Sequence, residues 1–292
     1  MKGGPTATLL GDGARLHLQH GPIDLVVGAD GNRDAAFAAA TARFQTVLGE
    51  LVAELPLLRQ TVGPALQGAV ARRMHCACAP HGQVMFVTPM AAVAGAVADE
   101  VLAAMVRAAA PLRAYVNNGG DIAVHLTAGQ VFTVAISGLD GSPLGRVTLR
   151  AADRARGLAT SGTGGRSLSM GIADAVTVLG RNGAGADVAA TLIANAVDLP
   201  GHGAVRRLPA CEVQPDSDLG DRLVVVSVGD LSATEVRSAL NRGLVAAEAM
   251  RVQGMIESAA LFLRGQSRIL GGKTAFAALP EPNVPERSRN HA

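Results

Sequence analysis

The sequence predicts a single α+β domain over residues 1–279, built of antiparallel sheets with packed helices, and a tail over 280–292. Three observations carry this. Of 292 residues 49% are hydrophobic, enough for one large core. Helix-length stretches interrupt runs of short strands with no regular βαβ alternation. No linker is long enough to separate two cores, and no repeat of fixed period is visible, although a weak two-lobed duplication escapes the reading of one sequence.

The first element is a β-hairpin, Ala14 to Gln19 and Asp24 to Val27, set off by Gly11-Asp12-Gly13 and His20-Gly21-Pro22. From Asp34 to Leu55 apolar residues recur at helical spacing (Phe37, Phe44, Val47, Leu48, Leu51) until Pro56 stops the helix. Gly63 to Arg73 reads as a second helix and Gln83 to Val87 as a short strand. Pro89 then suits the first turn of a further helix. That helix holds the longest apolar stretch, Met90 to Ala110, interrupted by Asp99, Glu100 and Arg107. Each charge is costly at the centre of a bilayer, so the stretch reads as a buried helix of a soluble protein and no membrane partner is expected.

From Tyr115 the period changes. Tyr115 to Val116, Ile122 to Leu126 and Val131 to Ser137 read as an antiparallel meander divided by Asn-Gly-Gly and Ala-Gly-Gln, with further strands at Gly145 to Arg150 and Ala173 to Leu179. A helix from Ala186 to Val197, a strand from Arg222 to Val228 and a helical end from Ala233 to about Leu263 complete the domain. The tail, PEPNVPERSRNHA, has no apolar periodicity and is expected to be mobile.

Composition excludes several functions. The net charge of +2 comes from acids and bases that occur singly, and 2% aromatic residues, with no Trp and one Tyr (Tyr115), leave little to stack bases on; nucleic acid is not an expected partner. The first residues lack the continuous apolar region of a secretion signal, so a cytoplasmic location is expected. Three cysteines do not form a disulfide framework. HCAC at His75 to Cys78, with His81 nearby, lacks the spacing and the second pair of a zinc knuckle, and reads as buried structural thiols. Lys2 and Lys273 are the only lysines, so no interior lysine is available for a Schiff base or a phosphate loop.

Three short stretches could carry chemistry. NNGGDI, Asn117 to Ile122, puts two glycines and a carboxylate, Asp121, at a turn between strands, where backbone can approach a phosphate or a metal; a plain hairpin turn has the same letters. In ADVAAT, Ala186 to Thr191, Asp187 and Thr191 share a helix face and suit a hard divalent cation such as Mg²⁺, or equally a dipole-complementing Asp and a Thr bonded back to a carbonyl. ATSG, Ala159 to Gly162, followed by TGGRS, offers hydroxyls at Thr160, Ser161, Thr163 and Ser167 beside Arg166, a plausible anion nest. Nothing matches G-x-S-x-G, G-x-G-x-x-G or H-E-x-x-H.

In this order the segments resemble the ApbE-like superfamily, whose best-known members move FMN from FAD onto protein threonines. PMAAVAGAVADEV (Pro89 to Val101) is similar to that family's glycine-rich helix leading to an Asp, here Asp99; NNGGDI is similar to its N-x-G-G-D-I turn, ATSG matches as it stands, and ADVAAT resembles its A-D-A-L-A-T helix. The resemblance implies an ApbE-like fold, Mg²⁺ held by Asp187, Thr191 and a carbonyl around Val93, and a nucleotide pocket lined by Asn118, Gly119, Gly120, Thr160, Ser161 and Gly162, with Asp121 positioning the ligand or accepting a proton. Ala94 and Ala96 stand where flavin transferases have lysine and tyrosine, and their H-I-D-P segment is missing. FAD or FMN is therefore expected to bind weakly at most, and the nearer likeness is to a compact cytoplasmic branch in which a link to sulfide assimilation and homocysteine formation is suggested. Two functions stay open: a Mg²⁺-dependent transferase acting on a phosphorylated or nucleotide-like small molecule, and a non-catalytic ligand-binding or accessory protein. Apolar sheet faces and Ala-rich helices suggest a homodimer.

Overall fold

Chain order in the computed structural model, which describes residues 3–61, 63, 66–137, 143–165, 167–271 and 276–277, begins with three antiparallel strands: β1 (Thr6–Leu9), β2 (Arg15–His20) and β3 (Ile23–Asp30). Helices α1 (Arg33–Ala53), α2 (Leu55–Leu58) and α3 (Ala69–Cys78) follow, then a 3₁₀ turn (Pro89–Ala92) that leads into α4 (Val93–Ala109). Strands β4 (Arg113–Asn118), β5 (Asp121–Leu126), β6 (Val131–Ser137), β7 (Pro143–Arg150), β8 (Gly157–Ser161) and β9 (Ala175–Gly180) precede α5 (Gly183–Ala196). The rest is β10 (Val205–Pro209), α6 (Ala210–Val213), β11 (Leu223–Val228), α7 (Ala233–Val252), β12 (Ser258–Leu263), β13 (Gln266–Leu270) and β14 (Phe276–Ala277).

Nine strands form one wholly antiparallel sheet in the order β1-β2-β3-β4-β5-β8-β9-β12-β13. Past β1 this sheet is one connectivity used twice: hairpin β2-β3, helices, hairpin β4-β5; then hairpin β8-β9, helices, hairpin β12-β13. The halves meet at β5 and β8, which pair over only Ile122–Leu158 and Ala123–Gly157.

Strand alternation makes three layers. Val116, Ala123, Ala159, Val176, Val178 and Leu261 face the helices and join their core, while Ile122, Val124, Leu158, Leu179 and Ala260 face the small β6-β7-β14 sheet, packing on Phe132, Val147 and Leu149. With both faces covered, β9 is buried at every position.

Several expectations change on contact with this architecture. No strand forms at Gln83 to Val87; residues 81–84 are a turn with Val84 exposed, closing on the α3 end through the His81 and Gly82 amides to the Cys78 carbonyl. The second helix lies at Ala69–Cys78 instead of Gly63 to Arg73. The meander is broken: β6 leaves the large sheet and pairs with β7. The final helix stops at Val252 and SAALFL is strand β12, an apolar run whose burial on both sides hides its period. Cys78 is buried as expected, but Cys76 is exposed and Cys211 only partly covered. Arg166, both lysines and the tail lie outside the described residues.

The segment Pro89–Ala109 is long and apolar enough to cross a membrane by length and composition. Within the fold it is a core helix, touching α1, α3, α5, β4 and β5. Its buried Glu100 is held between Arg43 (Nε to Oε1, 3.0 Å) and Arg73 (Nε to Oε2, 2.9 Å).

Candidate functional site at a helix crossing

Helices α4 and α5, one from each half of the sheet, cross at their first turns. A Cβ on Gly95 would lie 2.2 Å from the Gly183 carbonyl oxygen, and one on Gly183 would lie 2.8 Å from that of Gly95, so backbone meets backbone there. Two orphan amides at each helix start are capped by the other helix. Asp99 of α4 accepts from the Gly183 and Ala184 amides of α5 at 2.8 and 2.9 Å. Asp187 of α5 accepts from the Gly95 amide of α4 at 3.0 Å, and from that of Ala94. Each aspartate stands four residues after its glycine, in GAVAD (95–99) and GAGAD (183–187).

The double-glycine turn joins this crossing. Gly119 and Gly120 take positive φ (63° and 113°), as a two-residue hairpin connection requires, and Asn117 Oδ1 accepts the Gly120 amide at 2.8 Å. Asn118 is buried and donates to the Ala94 carbonyl at 3.1 Å, tying the turn to the start of α4. Asp121 Oδ1 accepts the Thr160 amide at 3.1 Å, tying it to β8, and the Thr160 hydroxyl meets that of buried Thr177 at 2.9 Å.

The three motifs are therefore contiguous: Asn118, Gly119, Gly120 and Asp121 form the turn, Thr160 and Ser161 end β8, Gly162 follows, and Val93 opens α4 just before the amides that Asp187 binds. Thr191 sits one turn after Asp187, half-buried, its hydroxyl without a hydrogen bond among the described residues. Burial, and then the negative charge of Asp121, push the Asp187 carboxyl well above its usual range, against the opposing pull of the Gly95 and Ala94 amides. Burial likewise raises Asp99, and burial followed by the Asp187 charge raises the Cys78 thiol.

Asp187 and Thr191 share one face of α5, as their spacing implied, but sequence reading gave Asp99 no function and missed the crossing. The repeated G-A-x-A-D was its only trace in the letters. Among the described residues no three His, Cys, Asp or Glu side chains gather into a preformed metal cluster.

Residues 7–269 match the family described as AbpE bacteria. A UPF0280 protein of Methanopyrus kandleri is 38% identical over 178 residues, 59% of this chain and 69% of the relative. UPF0280 proteins of Methanothrix thermoacetophila (39% over 162 residues, 52% and 65% of the two chains) and Methanosarcina barkeri (40% over 139 residues, 44% and 49%) are similar. With nearly its whole length matched, the chain belongs to the AbpE bacteria family and is a relative of the UPF0280 proteins.

Proposed function

We propose that the crossing of α4 and α5 with the double-glycine turn is a pocket for a phosphorylated or nucleotide-like small molecule held together with a divalent cation, Mg²⁺ for preference. One observation carries this reading: the charge of Asp121 acts on Asp187, a carboxylate from a separate motif, and Thr191, one helical turn on, has a hydroxyl without a hydrogen bond among the described residues. A cation offsets that charge. Mg²⁺ needs only one or two protein anions when water and phosphate oxygens complete its shell.

Asp187 and Thr191 would hold the ion, with a carbonyl at the start of α4 near Val93 as a third donor. Bound there, the ion would neutralise charge on a transferring phosphoryl or nucleotidyl group. The chain's own contribution is positional. Gly119 and Gly120 leave room for a ligand at the turn, the β8 end offers the Thr160 and Ser161 hydroxyls, and Asp121 orients the ligand or takes its proton.

On this reading the fold is ApbE-like, the activity is a Mg²⁺-dependent transfer, and the protein works in the cytoplasm as a homodimer. FAD has no lysine or histidine segment to grip it, and flavin transfer is not part of the proposal. Calorimetry of the full chain with Mg²⁺ and Mn²⁺ tests it. Wild type should bind, and Thr191→Val and Asp121→Asn should each weaken binding about tenfold; no binding in wild type ends the proposal.

A second reading has its own support. Asp187 is already engaged by two amides of α4, which is what a purely architectural carboxylate would do. The protein would then be a non-catalytic ligand-binding or accessory protein, with sulfide assimilation and homocysteine formation as the setting its resemblance suggests. Incubation with FAD, Mg²⁺ and a threonine-bearing acceptor tests the accessory reading, which an added FMN mass would contradict.

A further inference from the structure

A cavity of about 770 Å³ opens between α3, the outer face of α4, the start of α5 and the loop at Gly254, and no residue of the double-glycine turn or of β8 lines it. Arg72, Arg73, Arg107 and Arg181 surround it, facing two acids among the described residues, Asp99 and Glu100. Both acids are spoken for. Asp99 binds the two α5 amides, and Glu100 is divided between Arg43 and Arg73. Arg107 has no ion-pair or hydrogen-bond partner among the described residues, and Arg181 has only a 3.7 Å contact with Glu257. Arg72 is engaged through one nitrogen, donating to the Gln67 carbonyl.

The helix start does not supply the donors. The Gly183 and Ala184 amides are taken by Asp99, the Gly185 amide by Asn182 Oδ1, and the Ala186 amide by the Asn182 carbonyl. Independent of the arginines is His81, which lines the cavity at 5% exposure with no hydrogen-bond partner for its imidazole among the described residues. Its ring nitrogens are not sealed from solvent, so a ligand in the cavity can reach them. Burial also keeps it neutral by lowering its proton affinity.

We propose that this cavity is a second ligand site, for a phosphate-bearing small molecule of up to nucleotide size, with Arg107 and Arg181 gripping the anion and His81 supplying a neutral hydrogen-bonding group. Guanidinium forks suit phosphate oxygens, and the volume is in the range of small-molecule pockets. Cys76 also lines the cavity and is exposed, so a bound ligand covers it.

The probe is pyrophosphate, titrated calorimetrically into the full chain in EDTA so that no divalent cation contributes. Saturable binding is expected, weakened about tenfold by Arg107→Gln and by Arg181→Gln, both exposed positions that leave folding intact. Saturation should also slow alkylation of Cys76 at least several-fold. Absence of saturable binding, equal affinity in the arginine variants, or unprotected Cys76 would overturn the proposal. So would loss of binding in Asp121→Asn, which would move the anion to the double-glycine turn.

Discussion

Asp99 and Asp187 each cap the helix that carries the other. The arrangement is reciprocal: the Asp99 carboxylate ends α5's orphan amides, the Asp187 carboxylate ends α4's, and the two chains of four residues pass each other at Gly95 and Gly183. Asp99 also adds to the charge that makes Asp187 hard to ionise.

The crossing tolerates no side chain. Gly95→Ala would drive a methyl group into the Gly183 carbonyl and should cost about 3 kcal/mol in urea unfolding, by the usual cost of overpacking. Gly49→Ala is the control: it sits exposed in α1 with nothing within 4 Å of the added carbon, and should gain about 0.5 to 1 kcal/mol.

The pH dependence of stability carries the sign of the Asp187 environment. Its folded carboxyl holds a proton more tightly than the unfolded one, so its contribution is fully present below the unfolded value near pH 4 and is lost as pH rises through the folded value. Asp187→Asn escapes that loss. Unfolding midpoints from pH 4 to 8 should therefore show the variant gaining on wild type as pH rises; a variant that loses ground with pH contradicts the assignment.

Glu100 should behave in the opposite way. Burial alone would raise it, but the bonds from Arg43 and Arg73 together hold it below its usual value. Its stabilisation is present above about pH 4.5 and is lost on acidification through the folded value. Glu100→Gln should cost about 2 kcal/mol at pH 7, and that cost should shrink in denaturation curves taken below pH 4.

The three thiols should separate by reactivity. In the native protein Cys76 should react promptly with a disulfide reagent, and Cys211, partly covered and raised by its bond to Asp221, more slowly. Cys78, buried and pushed far up, should react only on unfolding. Peptide mapping after timed quenching checks the order.

How much of this was legible in the sequence depends on the range of the interaction. Helix α1 and hairpin β2-β3 were readable because Phe37, Phe44, Val47 and Leu51, or the alternation in RLHLQH, declare one buried face within a few residues. Strands β8 and β12 were not. GLATS ends beside a Gly-rich stretch and reads as loop, and SAALFL, buried on nearly every side, shows no period to tell strand from helix. The candidate site was legible as motifs but not as an assembly. The Asp99 bond to Gly183 spans 84 positions and the Asp187 bond to Gly95 spans 92, separations that no local pattern of residues encodes.

Because each half of the large sheet donates the carboxylate that caps two amides of the other half's helix, each half cut free at the short β5-β8 seam would leave those two amides without that acceptor. Two identical copies of one half, related by a two-fold axis, could satisfy both with one aspartate. The protein thus has the geometry of a symmetric dimer whose subunits have been strung into one chain, with β6 and β7 inserted in the connecting stretch. The two sides of the crossing are not equivalent: Thr191 stands four positions after Asp187, while Ala103 stands four positions after Asp99.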